Sequence, residues 1–404
     1  MEPFLRQSLR SAALVANAHR PAIRNRALTV PSFFAAWFTS ETPGFGLALN
    51  GVRVVRAVRR GDHRSAQGKL ALGVQAASMV GLAHLLWQGR NVDYEFEAVF
   101  APYLDTATIS SRPRSTRRGS VVPLDVGHRH RTIRRGERYF GDTGWRHTLD
   151  VYVPKVAVEP GVKRPALIQI HGGGWILGNK NEQGLMLLNH MAGQGWVGFN
   201  ANYRLAPKAK FPEQLIDVKR AIAYVRTHAD ELGADPDFIA VTGGSAGGYL
   251  AAMAAMTAND PEFQPGFEDV DTTVQAAVPF YGVYDLLDRE HAMAKGFDDF
   301  LARVVVGSSP RTDEERWRRF SPVDRVHADA PPTMLLHGTA DTLVPVEQGR
   351  QFARELSRAS DHAVLFAELA GANHAFDVFP SPRSVRTVEW VERFLTAVRD
   401  GQIK

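Results

Sequence analysis

Three residues in the C-terminal part of this chain have the types and setting to activate a hydroxyl for attack on a carbonyl carbon. The serine stands in Gly243-Gly244-Ser245-Ala246-Gly247. Phe238 to Thr242 before it reads as a strand, and Ala246 to Thr257 after it as a helix, so Ser245 occupies a sharp strand-to-helix turn. In so tight a turn a Cβ two positions either side of the serine would clash, which accounts for Gly243 and Gly247. The helix N-terminus beneath the hydroxyl favours developing negative charge. A serine hydroxyl is a weak nucleophile until a base takes its proton, and the base must be oriented by a third group. Asp341 follows the run ending His337-Gly338-Thr339-Ala340, and His374 lies in Gly371-Ala372-Asn373-His374-Ala375-Phe376. Both are expected on loops at carboxyl ends of strands, the sheet edge that carries Ser245. His337 is a rival base, expected behind the acid. Asp377 is a rival acid, expected to be badly placed to orient a histidine three residues before it.

A reaction of this kind also needs hydrogen-bond donors for the oxygen that becomes negative. His171-Gly172-Gly173-Gly174-Trp175 follows another strand, and its glycines let bare backbone N–H groups approach a carbonyl. The run continues to Gly178-Asn179-Lys180 but lacks the Gly-Lys-Ser/Thr ending of a phosphate loop, so nucleotide binding is not expected. The chain has no cysteine, which excludes disulfides, thiolate metal sites and a Cys nucleophile. His128 and His130 form a His-x-His pair in a basic segment without carboxylates at ligand spacing, so they read as a solvated loop and no metal or cofactor is expected. Nucleic-acid binding has only an Arg-rich connector in its favour and no fold motif.

The elements that must position these residues follow from the pattern of apolar runs. Strands are expected at Thr148 to Val153, Ala166 to Ile170, Val197 to Tyr203, Phe238 to Thr242, Val274 to Tyr281, Thr333 to Leu336 and Val364 to Leu369. Helical spacing lies between them, as in Leu215, Val218, Ile222 and Val225. Strands alternating with helices predict an α/β fold with a mostly parallel sheet covered on both faces. Some fifty residues separate the strands at Val274 and Thr333, more than one crossover helix needs, so an insertion is expected at about 283–325.

With 404 residues the chain exceeds the span of one core, ~250–300 residues, so a large domain with an appendage is expected. The expected division is a helical, apolar and basic region at 1–100, a basic connector at 101–130 and a catalytic domain at 131–404. Residues 1–140 carry 21 Lys/Arg against 9 Asp/Glu, a charge of +12, while the whole chain carries +5. The excess points to an anionic surface, with a solvated basic face as the other reading. Met1-Glu2-Pro3 and the short apolar run Ser11 to Ala18 do not make a signal peptide. Leu70 to Gly89 is uncharged and long enough for a bilayer core, but Gln75, Ser78, His84 and Gln88 are scattered around it, so a buried or interfacial helix is expected. With the aromatic cluster Phe33, Phe34, Trp37 and Phe38, this region reads as a cap over the site or as a module for peripheral membrane association. The location is accordingly cytoplasmic or at the membrane and cell envelope. The oligomeric state is not legible.

Together with Tyr203-Arg204-Leu205-Ala206-Pro207, Phe211-Pro212 and Asp217-Val218, these motifs resemble the hormone-sensitive-lipase-like branch of the α/β-hydrolase esterases over about residues 130–400. The resemblance implies an eight-stranded, mostly parallel sheet and a carboxylesterase or lipase that takes a small-molecule or lipid ester and needs no cofactor. It implies Ser245 as nucleophile, His374 as base, Asp341 as its partner, and the N–H groups of Gly173, Gly174 and Ala246 as the oxyanion hole. Gly244 departs from the acidic residue that many members carry, and in this the chain resembles the feruloyl and acetyl-xylan esterase side of the superfamily. An amide hydrolase of the formamidase kind would use the same site. A binding protein of this fold that has lost catalysis is the alternative from another class, and the presence of all three residues speaks against it.

Overall fold

Eight strands form a single sheet in the computed structural model, which describes residues 1–21, 26–105, 131–141, 144–155 and 161–404. His128, His130 and nearly all of the basic connector lie outside the described residues. The strands are β1 (Arg131–Arg138), β2 (Thr148–Pro154), β3 (Arg164–Ile170), β4 (Val197–Ala201), β5 (Ala234–Gly244), β6 (Ala276–Phe280), β7 (Thr333–Gly338) and β8 (Val364–Leu369). Their order in the sheet is β1-β2-β4-β3-β5-β6-β7-β8. β1 and β2 pair antiparallel, as do β2 and β4, and every later pairing is parallel. This is the α/β fold the sequence predicts.

The central strands read as unbroken apolar runs because a parallel sheet is buried on both faces. Ala166, Leu167 and Ile168 of β3 and Ile239, Ala240 and Val241 of β5 are all fully buried. β1 was not legible in this way. It carries Arg131, Arg134, Arg135, Glu137 and Arg138, the charges of an exposed edge strand that discourage further pairing. Its register shifts between Arg134 and Glu137, where the Gly136 N–H donates to the buried Asp150 carboxylate.

The N-terminal region is helical, with α1 (Pro3–His19), α2 (Arg26–Glu41), α3 (Pro43–Arg60), α4 (Ala66–Arg90) and α5 (Asp93–Phe100). The principal helices of the sheet region are α6 (Leu185–Gly193), α7 (Glu213–Thr227), α8 (Ala246–Met256), α9 (Val346–Ala359) and α10 (Pro382–Arg399). Side chains of α7, α8 and α9 build the core on one face, and those of α6 and α10 the core on the other. α5 joins the second face: Phe96 stacks on Trp390 at 5.5 Å, and Asp93 accepts from both the Arg386 guanidinium and the Trp390 indole. Between β6 and β7 the chain forms short helical turns at Phe297–Phe300, Leu301–Val306 and Glu314–Arg319.

Candidate active site

Ser245 sits where β5 turns into α8, with φ 59° and ψ −120°. A non-glycine residue held there costs on the order of 1–3 kcal/mol, so the packing around the turn must impose it. The packing is tight at both flanking glycines. A Cβ on Gly243 would lie 2.6 Å from the Ile170 carbonyl oxygen, and one on Gly247 would lie 2.1 Å from the same oxygen. The Ser245 N–H donates to Phe280 O at 3.0 Å, and Ala246 opens α8, where the first N–H groups have no partner within the helix. Ser245 itself is only half-buried, between buried neighbours.

His374 and Asp341 meet on the loops after β8 and β7. His374 Nδ1 lies 2.7 Å from Asp341 Oδ2, and the other carboxylate oxygen accepts from the N–H groups of Leu343 and Val344. Burial alone would push the Asp341 carboxyl up, but the charge of His374 and hydrogen bonds from His337 and His374 outweigh it and bring it down to about 2. Asn373 ties the two loops together, its Oδ1 accepting from Thr342 N–H and from His374 N–H.

The two rivals occupy different places. His337 is buried with Nε2 2.8 Å from Val344 O and 3.5 Å from Asp341 Oδ2, so it borders the carboxylate away from any route to Ser245 through His374. Asp377 accepts a hydrogen bond from the Tyr281 hydroxyl, and burial pushes its carboxyl up. The Tyr281 ring lies 4.6 Å from the His374 ring, with its hydroxyl close to Gly244. It also explains Gly244. A Cβ at that position would come within 2.6 Å of the Tyr281 hydroxyl oxygen, so an acidic side chain there must displace the tyrosine.

The glycine loop after β3 is fixed from several sides. Gly172 N–H is already committed, donating to Gln183 Oε1 at 2.7 Å. Gly173 and Gly174 have φ of 122° and 59°, and among the described residues their N–H groups donate to no protein acceptor. A Cβ on Gly173 would meet the Leu177 carbonyl oxygen at 2.2 Å, so a side chain there collides with its own turn. His171 stacks on Tyr203 at 4.2 Å and has Nδ1 2.8 Å from Gly172 O. Burial lowers its imidazole to about 4, so it is a neutral prop. The Tyr203 block supports the loop: Tyr203 hydroxyl donates to His171 O, Ala206 N–H donates to Trp175 O, and Arg204 clamps Asp217 with two bonds of 2.8 Å. Lys180, the end of the incomplete phosphate loop, is buried in an ion pair with Asp150. Among the described residues no group of three His, Asp or Glu is arranged to hold a metal ion.

α2 reaches the same site. Phe33 presents its ring edge to His374, centroids 6.0 Å apart, and the Trp37 indole N–H donates to Ala375 O at 2.8 Å. Glu41 closes the contact in a buried ion pair with Arg383. Gln183, Tyr281 and Asn373 were missed in the sequence reading. For Asn373 and Tyr281 the usable signals were adjacency to His374 and a tyrosine at the mouth end of a strand; Gln183 offered none.

A serine turn, an Asp–His pair and a bare glycine loop at one edge of an eight-stranded sheet define the α/β-hydrolase class of ester hydrolases. The family model described as BD-FAE matches residues 149–356, and the chain belongs to that family. It is 39% identical over 96% of its length to a probable carboxylic ester hydrolase, LipM, of Mycobacterium tuberculosis, covering 91% of that protein. It is 41% identical to the esterase LipQ of the same organism, over 67% of this chain and 64% of that one. Among solved structures, the butyrate-bound esterase 2 of Thermogutta terrifontis matches with a TM-score of 0.55 and 28% identity, over 68% of this chain and 96% of that one. This chain is a carboxylic ester hydrolase.

Proposed function

We propose that Ser245, His374 and Asp341 act as a catalytic triad on small carboxylic esters, with Gly173, Gly174 and Ala246 as the oxyanion hole. The observation that carries this reading is the 2.7 Å contact between His374 Nδ1 and Asp341 at the sheet edge that bears Ser245. His374 Nε2 takes the Ser245 proton as Oγ attacks the ester carbonyl carbon. The three N–H groups hold the oxygen that becomes negative. Collapse expels the alcohol, which leaves with the proton from His374. Water then attacks the acyl-enzyme by the same route, freeing the acid and Ser245. Ile176 and Leu177, exposed beside the glycine loop, and Phe33 against His374 supply an apolar margin for the acyl group. Peripheral membrane association of the N-terminal helices belongs to the same proposal. The test is a panel of aryl esters of increasing acyl length beside the matching anilides. Burst release of the phenol with slower steady turnover supports the acyl-enzyme, and turnover of the anilides alone would point to an amide hydrolase.

The pH profile should have a single acid limb. Asp341, brought down to about 2, stays ionised across the working range. A protonated imidazole cannot take the serine proton. The kcat/KM for an aryl acetate should therefore fall as the solution is acidified below neutrality. A flat profile from about pH 5 to 9, with the fold intact by circular dichroism, would remove His374 from its role.

The Gly173→Ala variant should lose turnover by ~10²–10³-fold, the usual effect of losing one oxyanion donor. The new Cβ forces the loop off the Leu177 carbonyl, and with it the N–H of residue 173. Unchanged kcat in this variant would take Gly173 out of the oxyanion hole.

A further inference from the structure

α2, α3 and α4 bury polar groups, on α4 beside Leu82 and Leu85, and leave large apolar side chains outside, whereas α1 buries Phe4, Leu5 and Val15 and exposes Arg6 and Arg10. On α4 the buried face includes Gln75 and Ser78, at 0% and 2% exposure, while Leu70, Val80 and Trp87 stand out at 57%, 70% and 58%. On α3 Phe45, Leu49, Val52 and Val55 fall on one helix face, and that face is the exposed one; Asn50 is buried. α2 buries Thr29, Ser32 and Ser40 and exposes Leu28, Phe34 and Phe38. Some of these buried polar groups bond from helix to helix, whereas Ser78 bonds back to Val74 O within α4 and Gln75 has no partner among the described residues. Ser11 donates to Asn50 at 3.1 Å, Arg53 is drawn in to both, Ser32 bonds Asn17 at 2.7 Å, and His19 Nε2 lies 2.9 Å from Gly81 O. At Gly81 the helices approach so closely that a Cβ would lie 2.4 Å from Val15.

In water the outer half of this pattern is costly, since it leaves large apolar side chains wet. In hydrocarbon it is the stable arrangement. Lipid tails solvate Leu, Val and Phe, and helices associate through small residues and hydrogen bonds between them. We propose that the exposed faces of α3 and α4 are seated in the apolar phase of a lipid bilayer, beyond a peripheral contact. The proposal rests on the esterase reading for its second half: the ester is one dissolved in that bilayer.

Charge favours lipid over a second copy or a protein partner. Arg56, Arg59, Arg60, Arg64 and Lys69 crowd the turn between α3 and α4, where Asp62 is the one acid, and such a cluster fits anionic headgroups. From there the uncharged stretch runs from Leu70 toward Gly89, where its last turn packs on Gly371 and Arg383 of the catalytic domain. Whereas α5 packs on the second face of the sheet, α4 before it has an apolar composition suited to lipid. Its one ionisable side chain within the uncharged run, His84, stacks on His19 and Trp87. At the other end α2 joins bilayer to active site: Phe33 packs on His374 while Phe34 and Phe38 beside it stay half-exposed. A long-chain ester in the bilayer is thereby one helix width from the base.

The test uses the full-length protein and vesicles of phosphatidylcholine, with and without phosphatidylglycerol. Flotation is measured before and after washing in molar salt and alkaline carbonate. Val52→Asp/Val80→Asp changes two exposed residues remote from the site. Wild type should float and survive both washes. The double variant should partition at least ~100-fold less, since an Asp in hydrocarbon is strongly disfavoured, yet hydrolyse a water-soluble aryl acetate at the wild-type rate. Its turnover of a long-chain aryl ester dissolved in vesicles should fall with its partitioning. The proposal is overturned if wild type stays in buffer as a monomer or dimer, if it floats only on anionic vesicles at low salt, or if the variant partitions like wild type. If only the vesicle ester fails to distinguish the two proteins, the substrate half falls. If wild type leaves the soluble ester untouched, the esterase reading fails while flotation still decides the membrane one.

Discussion

Turnover of aryl esters by Ser245→Ala is expected to fall by ~10⁶, the loss seen when the nucleophile is removed from a serine hydrolase of another fold. The size of the effect follows from what remains. Without Oγ there is no acyl-enzyme, and His374 has no serine proton to take. The glycine loop can still polarise a bound ester for attack by water, which leaves a residual rate above background. The substitution is mild for the fold. Alanine keeps the Cβ and the backbone N–H to Phe280 O. Activity above a few percent in the alanine variant, or an organophosphate adduct mapped to another serine, would remove Ser245 from the proposed triad.

How far the sequence leads to this site depends on the range of the interactions involved. The turn around Ser245 was legible because everything it needs is local: a strand buried on both faces reads as Ile239-Ala240-Val241, and the flanking glycines stand in for side chains that would strike β3. The same holds for the glycine loop after Ile170. β1 escaped notice because an edge strand has no apolar run, and its pairing with β2 is made by backbone groups that any side chain carries. Gly244 stood out as a departure, but its cause, the Tyr281 ring, is 37 residues away and visible only once β5 and β6 are neighbours. The aromatic cluster on α2 was equally plain, while its contact with His374 spans most of the chain. On α4, composition revealed an uncharged helix; which side Gln75 and Ser78 face is set by α1 and α3, and that orientation carries the membrane proposal.

Asp341→Asn should lower kcat by ~10⁴ with the structure preserved, through the tautomer of His374. The Asp341 carboxylate now accepts on both oxygens, from Leu343 and Val344 N–H on one and from His374 Nδ1 on the other. An asparagine keeps the backbone bonds by turning its oxygen to Leu343 and Val344, which aims its NH₂ at His374 Nδ1. Nδ1 must then accept, so the imidazole carries its proton on Nε2, facing the serine it should deprotonate. Asp377→Asn is the matched control, because Asp377 accepts from the Tyr281 hydroxyl and its replacement leaves the His374–Asp341 contact in place. Its turnover should stay within about tenfold of wild type. The kcat values of the two variants, measured with one aryl ester, separate the roles. A loss of ~10⁴ in Asp377→Asn with Asp341→Asn nearly unaffected would make Asp377 the orienting acid, and the loop after β7 would then serve only to hold His337 and Asn373 in place.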